Sequence, residues 1–364
     1  MPKKNSVKKV SPKKTKAYQA PDFLVDLLNA RSPTGAEYEA QAVVDQYVEN
    51  EVDTYRSDTM GNRFATVNPE GDPNLLLAGH IDELGLIITY INDQGFVYFD
   101  TLGGHDKTMI SGRRVSMITK NGIVKGITGK RAIHLMSAQD RKKVPDVEEF
   151  FVDLGMPADD VQERVKIGDF IVMNEPFLEL PSAVVSKALD NRIACFVAIE
   201  AMRKITKARG AAGLHAAEIV VAFTVQEEVG LRGATTAANA VNADLGIGLD
   251  TTLAVDTPGV PAHEACTRLG DGAAITVMDS SAIGDYDLIE TFDRLSKKHK
   301  IKTQRSILAA GGTDTGGIQR TAGGCRAMTL SCPTRYIHTV TETIHTGDIK
   351  ACRDLLAAYL ESAT

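Results

Sequence analysis

A chain of 364 residues, 43% hydrophobic and 24% charged, is long enough for two domains and has the composition of an ordinary globular protein. Its formal charge is −6, and removing the seven lysines of the first sixteen residues leaves −13 for the remainder, which argues against a nucleic-acid-binding surface. No apolar run approaches the roughly 20 residues of a membrane span and no secretory leader pattern is present, so a cytoplasmic protein without a membrane partner is expected. Five scattered cysteines without a C-x-x-C pair argue against a disulfide framework or a thiolate zinc site.

Residues 1–17 form a basic tail whose lysines, mixed with Pro, Ser and Asn, cannot bury enough apolar surface to order themselves; disorder is expected there. Asp22 to Leu28 has helical spacing, Arg31-Ser32-Pro33-Thr34-Gly35 breaks it, and Glu37 to Val52 reads as a second amphipathic helix. Leu75 to Gly79 is a short buried strand that runs into His80-Ile81-Asp82-Glu83-Leu84-Gly85.

Between residues 86 and 179 the character changes. Short β-like runs (Leu86 to Ile91, Phe96 to Phe99, Arg114 to Ile118, Ile123 to Ile127) alternate with Gly, and Asn121-Gly122 is a hairpin signal. This stretch reads as a small β-rich domain inserted between two halves of an α/β domain, 18–85 and 180–364. His105 and His134 within it read as structural.

Asp190 precedes an apolar helical stretch, Ile193 to Ile205, and suits either an N-cap or a functional role. Glu218 to Phe223 is a buried strand that runs straight into Glu227-Glu228 and Gly230. Adjacent carboxylates at a strand end either belong to a solvated loop or need a cation between them. Leu231 to Ala243 reads as a helix, and Leu245 to Leu249 is another apolar run ending in a carboxylate, Asp250. Ala327 to Ser331 reads as a strand leading to His338, and a helix from Asp348 to Leu360 follows. His80, Glu227, Glu228, Asp250 and His338 thus sit at or just past strand ends, and Asp190 starts a helix. The crevice outside the carboxyl ends of strands is where open α/β sheets build sites. Two His and several carboxylates without thiolates suit a pair of divalent ions such as Zn, Co or Mn.

In order, Gly79-His80-Ile81-Asp82-Glu83-Leu84-Gly85, Ala188-Leu189-Asp190-Asn191-Arg192, Gln226-Glu227-Glu228-Val229-Gly230-Leu231-Arg232-Gly233-Ala234, Leu249-Asp250, Asp256-Thr257-Pro258-Gly259, Gly311-Gly312-Thr313-Asp314 and Arg335-Tyr336-Ile337-His338-Thr339 resemble the two-metal aminopeptidases of the glutamyl and deblocking type. These are tetrahedral peptidases, some of whose relatives were labelled endoglucanases. The resemblance runs from about residue 20 to the end. It implies an α/β/α peptidase domain with a mixed central sheet, interrupted by a barrel-like dimerisation domain, and assembly of dimers into a dodecamer. It implies two divalent ions per subunit, one held by His80, Asp190 and Asp250, the other by Asp190, Glu228 and His338. Asp190 would bridge them, Glu227 would be the general base, and Asp82 would orient His80.

Short peptides are the implied substrates, with a related amidohydrolase acting on a small acylated peptide or amide as the alternative. A glycosidase, which needs no obligatory metal, or a non-catalytic metal-binding scaffold are further alternatives. The chain departs from the family at Thr339-Val340-Thr341-Glu342, where relatives commonly have Ser-Pro-Val-Glu, at His345, near which they have Asp, and at Ala273, where Pro is usual. None of these touches the six core positions.

Overall fold

The computed structural model describes residues 18–209 and 216–363, so the expectation for the basic tail lies outside the described residues. The central element is a mixed sheet of eleven strands. Its middle is four parallel strands, Glu218–Thr224, Asn74–His80, Leu245–Leu253 and Arg326–Arg335, in that spatial order. Antiparallel strands flank them. Arg63–Val67 and Thr54–Ser57 close one side. Glu342–His345, Ala183–Ser186 and Leu178–Glu179 close the other. Ala273–Met278 pairs with the middle of Arg326–Arg335, at Thr329 to Ser331, and carries Thr303–Ile307 beyond it.

The period-two alternation of the central strands divides the core into two layers. Leu75, Leu77, Ile219, Val221, Ile247 and Leu249 pack with helices Asp22–Asn29, Tyr38–Val48, Leu189–Arg209, Tyr286–His299 and Thr346–Ser362. Leu76, Ala78, Val220 and Ala222 face the opposite way, onto Arg232–Val241 and Asp314–Gln319. The second layer is thin because its helices present Gly and Ala. Gly248 is required here: a Cβ on it would lie 2.1 Å from Thr315 Oγ1, so only glycine lets the start of Asp314–Gln319 press onto the central strand.

Six strands, Gly85–Ile91, Val97–Leu102, Arg114–Thr119, Gly122–Lys130, Phe150–Asp153 and Phe170–Met173, close into a separate barrel. Leu86, Ile88, Val97, Phe99, Val115, Met117, Val152 and Ile171 fill it. Val340, from the segment after His338, joins the same apolar cluster, so the barrel grips the peptidase layer. The hairpin expected at Asn121-Gly122 forms, but Gly122 already pairs with Thr119, so the two loop residues are Lys120 and Asn121. Helix 38–48 stops earlier than expected and continues as a 3-10 turn over 49–51. Among the described residues no helix is long and apolar enough to cross a membrane.

Candidate active site

The parallel register builds the floor. Thr224 pairs with His80, and Gly248 pairs with Ala78, so Asp250, two residues on, comes level with His80. Asp250 was expected at a strand end; its strand in fact continues to Leu253, and the carboxylate projects from within it. Asp190 lies at the N-terminal end of the long helix Leu189–Arg209, with non-helical φ −78 and ψ 104. Its carboxylate faces imidazoles: Oδ1 is 3.2 Å from His80 Nε2 and Oδ2 is 3.6 Å from His338 Nε2. Glu228 Oε2 lies 3.8 Å from the same His338 nitrogen.

Two groups of ligand atoms result, His80–Asp190–Asp250 and Asp190–Glu228–His338, each within a 4.8 Å span, and they share Asp190. A third combination, His80–Glu227–Glu228, meets the same span, so Glu227 is also within reach of this centre. All six core positions expected from the sequence come together.

The loops carrying these groups are held by buried acceptors. Asp82, fully buried, accepts from the Glu227 N–H at 3.1 Å and the Glu228 N–H at 3.3 Å, as well as from the Thr34 hydroxyl. Its carboxylate also stands 3.5 Å from His80 Nδ1. One side chain therefore sets both the imidazole and the Glu-Glu turn. Glu342 does the equivalent on the other side, accepting from the N–H groups of Asp190 and His338, both at 2.9 Å. Ala188, Gln226, Tyr336 and His338 adopt left-handed φ between 54° and 64°. For residues other than glycine this conformation costs about 1–2 kcal/mol each, and here it flanks the ligands.

The electrostatics call for a cation. Asp82, Asp190, Glu227, Glu228, Asp250, Asp314 and Glu342 gather around two imidazoles. Burial, then the Asp190 charge, pushes the carboxyls of Glu228, Asp250 and Glu342 well above the usual range. Burial raises Glu227 likewise, with His80 opposing and Asp250 adding. Asp314 is lifted by burial to about 6. Burial works against a charged His80, yet Glu227, Asp190 and Asp82 hold its pKa well above normal. Burial would raise Asp190, but the His80 hydrogen bond and charge bring it below the ordinary carboxylate value. Glu228 Oε1 is buried without a hydrogen-bond partner. Two imidazoles and several carboxylates of this kind suit borderline-hard divalent ions, and positive charge among them would relieve both the mutual repulsion and the orphaned oxygen.

Behind the floor lies a second buried charge cluster that the sequence did not reveal. Glu83 pairs with Lys187 at 2.6 Å and with Arg192 at 3.0 Å. Arg192, wholly buried, also donates to the carbonyls of Ile81, Leu27, Ala30 and Ser32. These bonds tie the 27–32 segment, the loop after His80 and the start of the Asp190 helix into one block. His105 donates from Nε2–H to the Gly85 carbonyl, 2.9 Å away, and His134 is exposed.

The M42 glutamyl aminopeptidase family matches residues 61–355. A candidate aminopeptidase of Acetivibrio thermocellus is 34% identical, the match covering 92% of this chain and 96% of that protein. Among solved structures, a TET aminopeptidase from a marine sediment archaeon of the Thaumarchaeota superposes with a TM-score of 0.89 at 33% identity, covering 94% of this chain and 98% of the other. The TET1 peptidase of Pyrococcus horikoshii, which can assemble into a tetrahedron or a large octahedral shell, gives 0.82 at 30% identity, covering 93% and 98%.

Proposed function

The chain belongs to the M42 glutamyl aminopeptidase family, and from that premise we propose that it is a metal-dependent aminopeptidase releasing the N-terminal residue of short peptides. The observation that carries the reading is Asp190, whose two oxygens face two different imidazoles at 3.2 and 3.6 Å. A carboxylate presented in this way can serve two ions, one with His80 and Asp250, the other with Glu228 and His338. Bound there, divalent ions such as Zn, Co or Mn supply Lewis acidity, making hydroxide available near neutral pH and polarising a carbonyl.

The chain's own groups then have separate tasks. Glu227 lies outside both bridging triads, with Oε2 3.6 Å from His80 Nε2. Burial raises the proton affinity of its carboxylate, which suits a group that takes a proton from the attacking water and hands it to the leaving amine. Asp82 fixes the His80 ring and the Glu227–Glu228 backbone. The acidic floor also receives the substrate's free α-amine, which confines cleavage to the first residue.

The barrel is the proposed dimerisation domain. Ile127, Ile133, Leu135 and Val144 on or beside it are 55–68% exposed and offer an apolar surface to a second copy. A closed homo-oligomer built from such dimers, like the shells of the TET peptidases, is the proposed assembly. The test is a panel of aminoacyl-anilides assayed on chelator-treated protein with Zn, Co and Mn restored separately. Hydrolysis that a chelator abolishes and metal restores is expected; chelator-insensitive turnover, or no turnover with any metal, overturns the reading.

A further inference from the structure

The cleft at the proposed ligands measures about 510 Å³, and besides the acids and imidazoles it is lined by uncharged residues, the hydroxyls of Thr251, Thr252 and Thr313 among them. Leu253, Leu308 and Ile337 line it and are only partly buried, leaving aliphatic surface turned toward the site. Gly311 and Gly312 lie between them in the chain turn and add no side chain. Among the described residues lining the cleft there is no lysine or arginine, and the only carboxylates are Asp190, Glu227, Glu228 and Asp250 of the floor. Arg335, two residues before Ile337, is committed to Asp256 through two bonds of 2.9 and 2.7 Å. The proposed ions lie on the floor, so a substrate side-chain carboxylate against Leu253, Leu308 and Ile337 would find no lysine or arginine to pair with. A substrate side-chain ammonium there would lose water without gaining a free carboxylate, since those of the floor are assigned to the ions and to proton transfer. Burying an unpaired charge is costly, whereas covering aliphatic surface is favourable.

We propose that the substrate's N-terminal side chain lies against Leu253, Leu308 and Ile337, so that the enzyme selects neutral aliphatic residues such as leucine or methionine over glutamate and lysine. This rests on the aminopeptidase reading and goes against the family's glutamyl name. The test compares kcat/KM for the leucyl-, alanyl-, glutamyl- and lysyl-anilides on metal-loaded full chain. Leucyl-anilide should exceed glutamyl- and lysyl-anilide by about 100-fold, and alanyl-anilide by about tenfold, on the scale of selectivity that apolar pockets reach.

Leu308→Arg, a change in a partly exposed loop residue, should narrow the leucyl-to-glutamyl ratio at least tenfold; Leu308→Ala should lower leucyl-anilide turnover and leave glutamyl-anilide turnover unimproved. A preference for glutamyl- or lysyl-anilide, or an unchanged ratio in Leu308→Arg, overturns the inference while any metal-dependent turnover keeps the aminopeptidase reading. If no anilide is cleaved that reading fails, and thermal shifts with leucinamide and glutamate α-amide still decide the pocket. A larger shift with leucinamide supports it, and an equal or smaller one sinks it.

Discussion

Replacing Asp82 by asparagine keeps the shape of a fully buried side chain and removes one acceptor. Both oxygens are in use, one for the Glu227 N–H, the other for the Glu228 N–H and the Thr34 hydroxyl. An amide has a single acceptor oxygen, so at least one buried N–H is left facing an NH2 group. Leaving such a donor unpaired costs about 1–3 kcal/mol. At about 1.4 kcal/mol per decade, that corresponds to roughly 5–150-fold if the loss falls on the ligand geometry. The negative charge beside His80, which steadies its ring, is lost as well. Comparable partners of ligating histidines are worth about 10–100-fold in metal affinity or activity.

Competitive chelator titration of Asp82→Asn and wild type with Zn, together with kcat on one anilide, measures both consequences. Thr34→Val removes one donor and leaves the charge in place, so it should cost less than about tenfold. Wild-type metal affinity and wild-type kcat in Asp82→Asn would refute the positioning argument.

Glu227→Gln should keep metal content and melting temperature while kcat falls by about 10²–10⁴-fold; Glu228→Gln should lose metal and recover partly with excess ion, and the reverse pattern in a metal titration would exchange their roles. Arg192→Met removes a donor from four carbonyls, of which Ala30 keeps Lys187 Nζ and Ser32 keeps the Glu83 N–H, and leaves part of the Glu83 charge uncompensated, so denaturant melts should show a loss of about 3–5 kcal/mol, with under 1 kcal/mol counting against the buried block. Burial raises Glu37 to about 7, above its unfolded value near 4.3. The folded state therefore holds a proton that the unfolded chain has released, and stability falls as pH rises from about 4.3 to 7. In chelator-treated protein, Glu37→Gln should match wild type near pH 4.5 and be more stable by about 1–3 kcal/mol at pH 8; denaturation midpoints that do not separate with pH would contradict this.

The six candidate positions were legible because five of them follow or end an apolar run and Asp190 starts a helix, and parallel strands bring such ends to one edge. That logic reached across the 258-residue separation of His80 and His338 in sequence. It placed Asp250 less well, because the Leu245–Leu253 strand continues through Thr251 and Thr252, which are polar yet buried. The sequence left Asp190 between an N-cap and a functional role, and what favours the second is seen only in the structure, in its oxygens turned to two imidazoles. Glu342 and Glu83 were illegible as functional groups. Their work is to receive backbone N–H groups or buried cations from distant segments, and nothing in the neighbouring sequence marks a carboxylate for that. The strands Thr54–Ser57 and Arg63–Val67 were missed too, the first being largely exposed and without apolar alternation.

The barrel does more than sit beside the peptidase layer. A Cβ on Gly103 would come within 3.1 Å of Glu228 Oε2, and one on Gly104 within 3.3 Å of His338 Nδ1. Val340, two residues beyond His338, is packed into the barrel's own core. Glu228 and His338, the ligands proposed for one ion, therefore lie on a seam between the barrel and the peptidase layer, while His80 and Asp250 are rooted in one sheet. Anything that clamped the barrel, such as a neighbouring subunit, would act on the seam, and an ion held by Glu228 and His338, as proposed, would act on the same seam from within. Two ligands that bias one shared equilibrium help each other by equal factors. Dilution that separates subunits would then loosen the ion on the seam before the other, and stripping that ion would weaken the assembly in return.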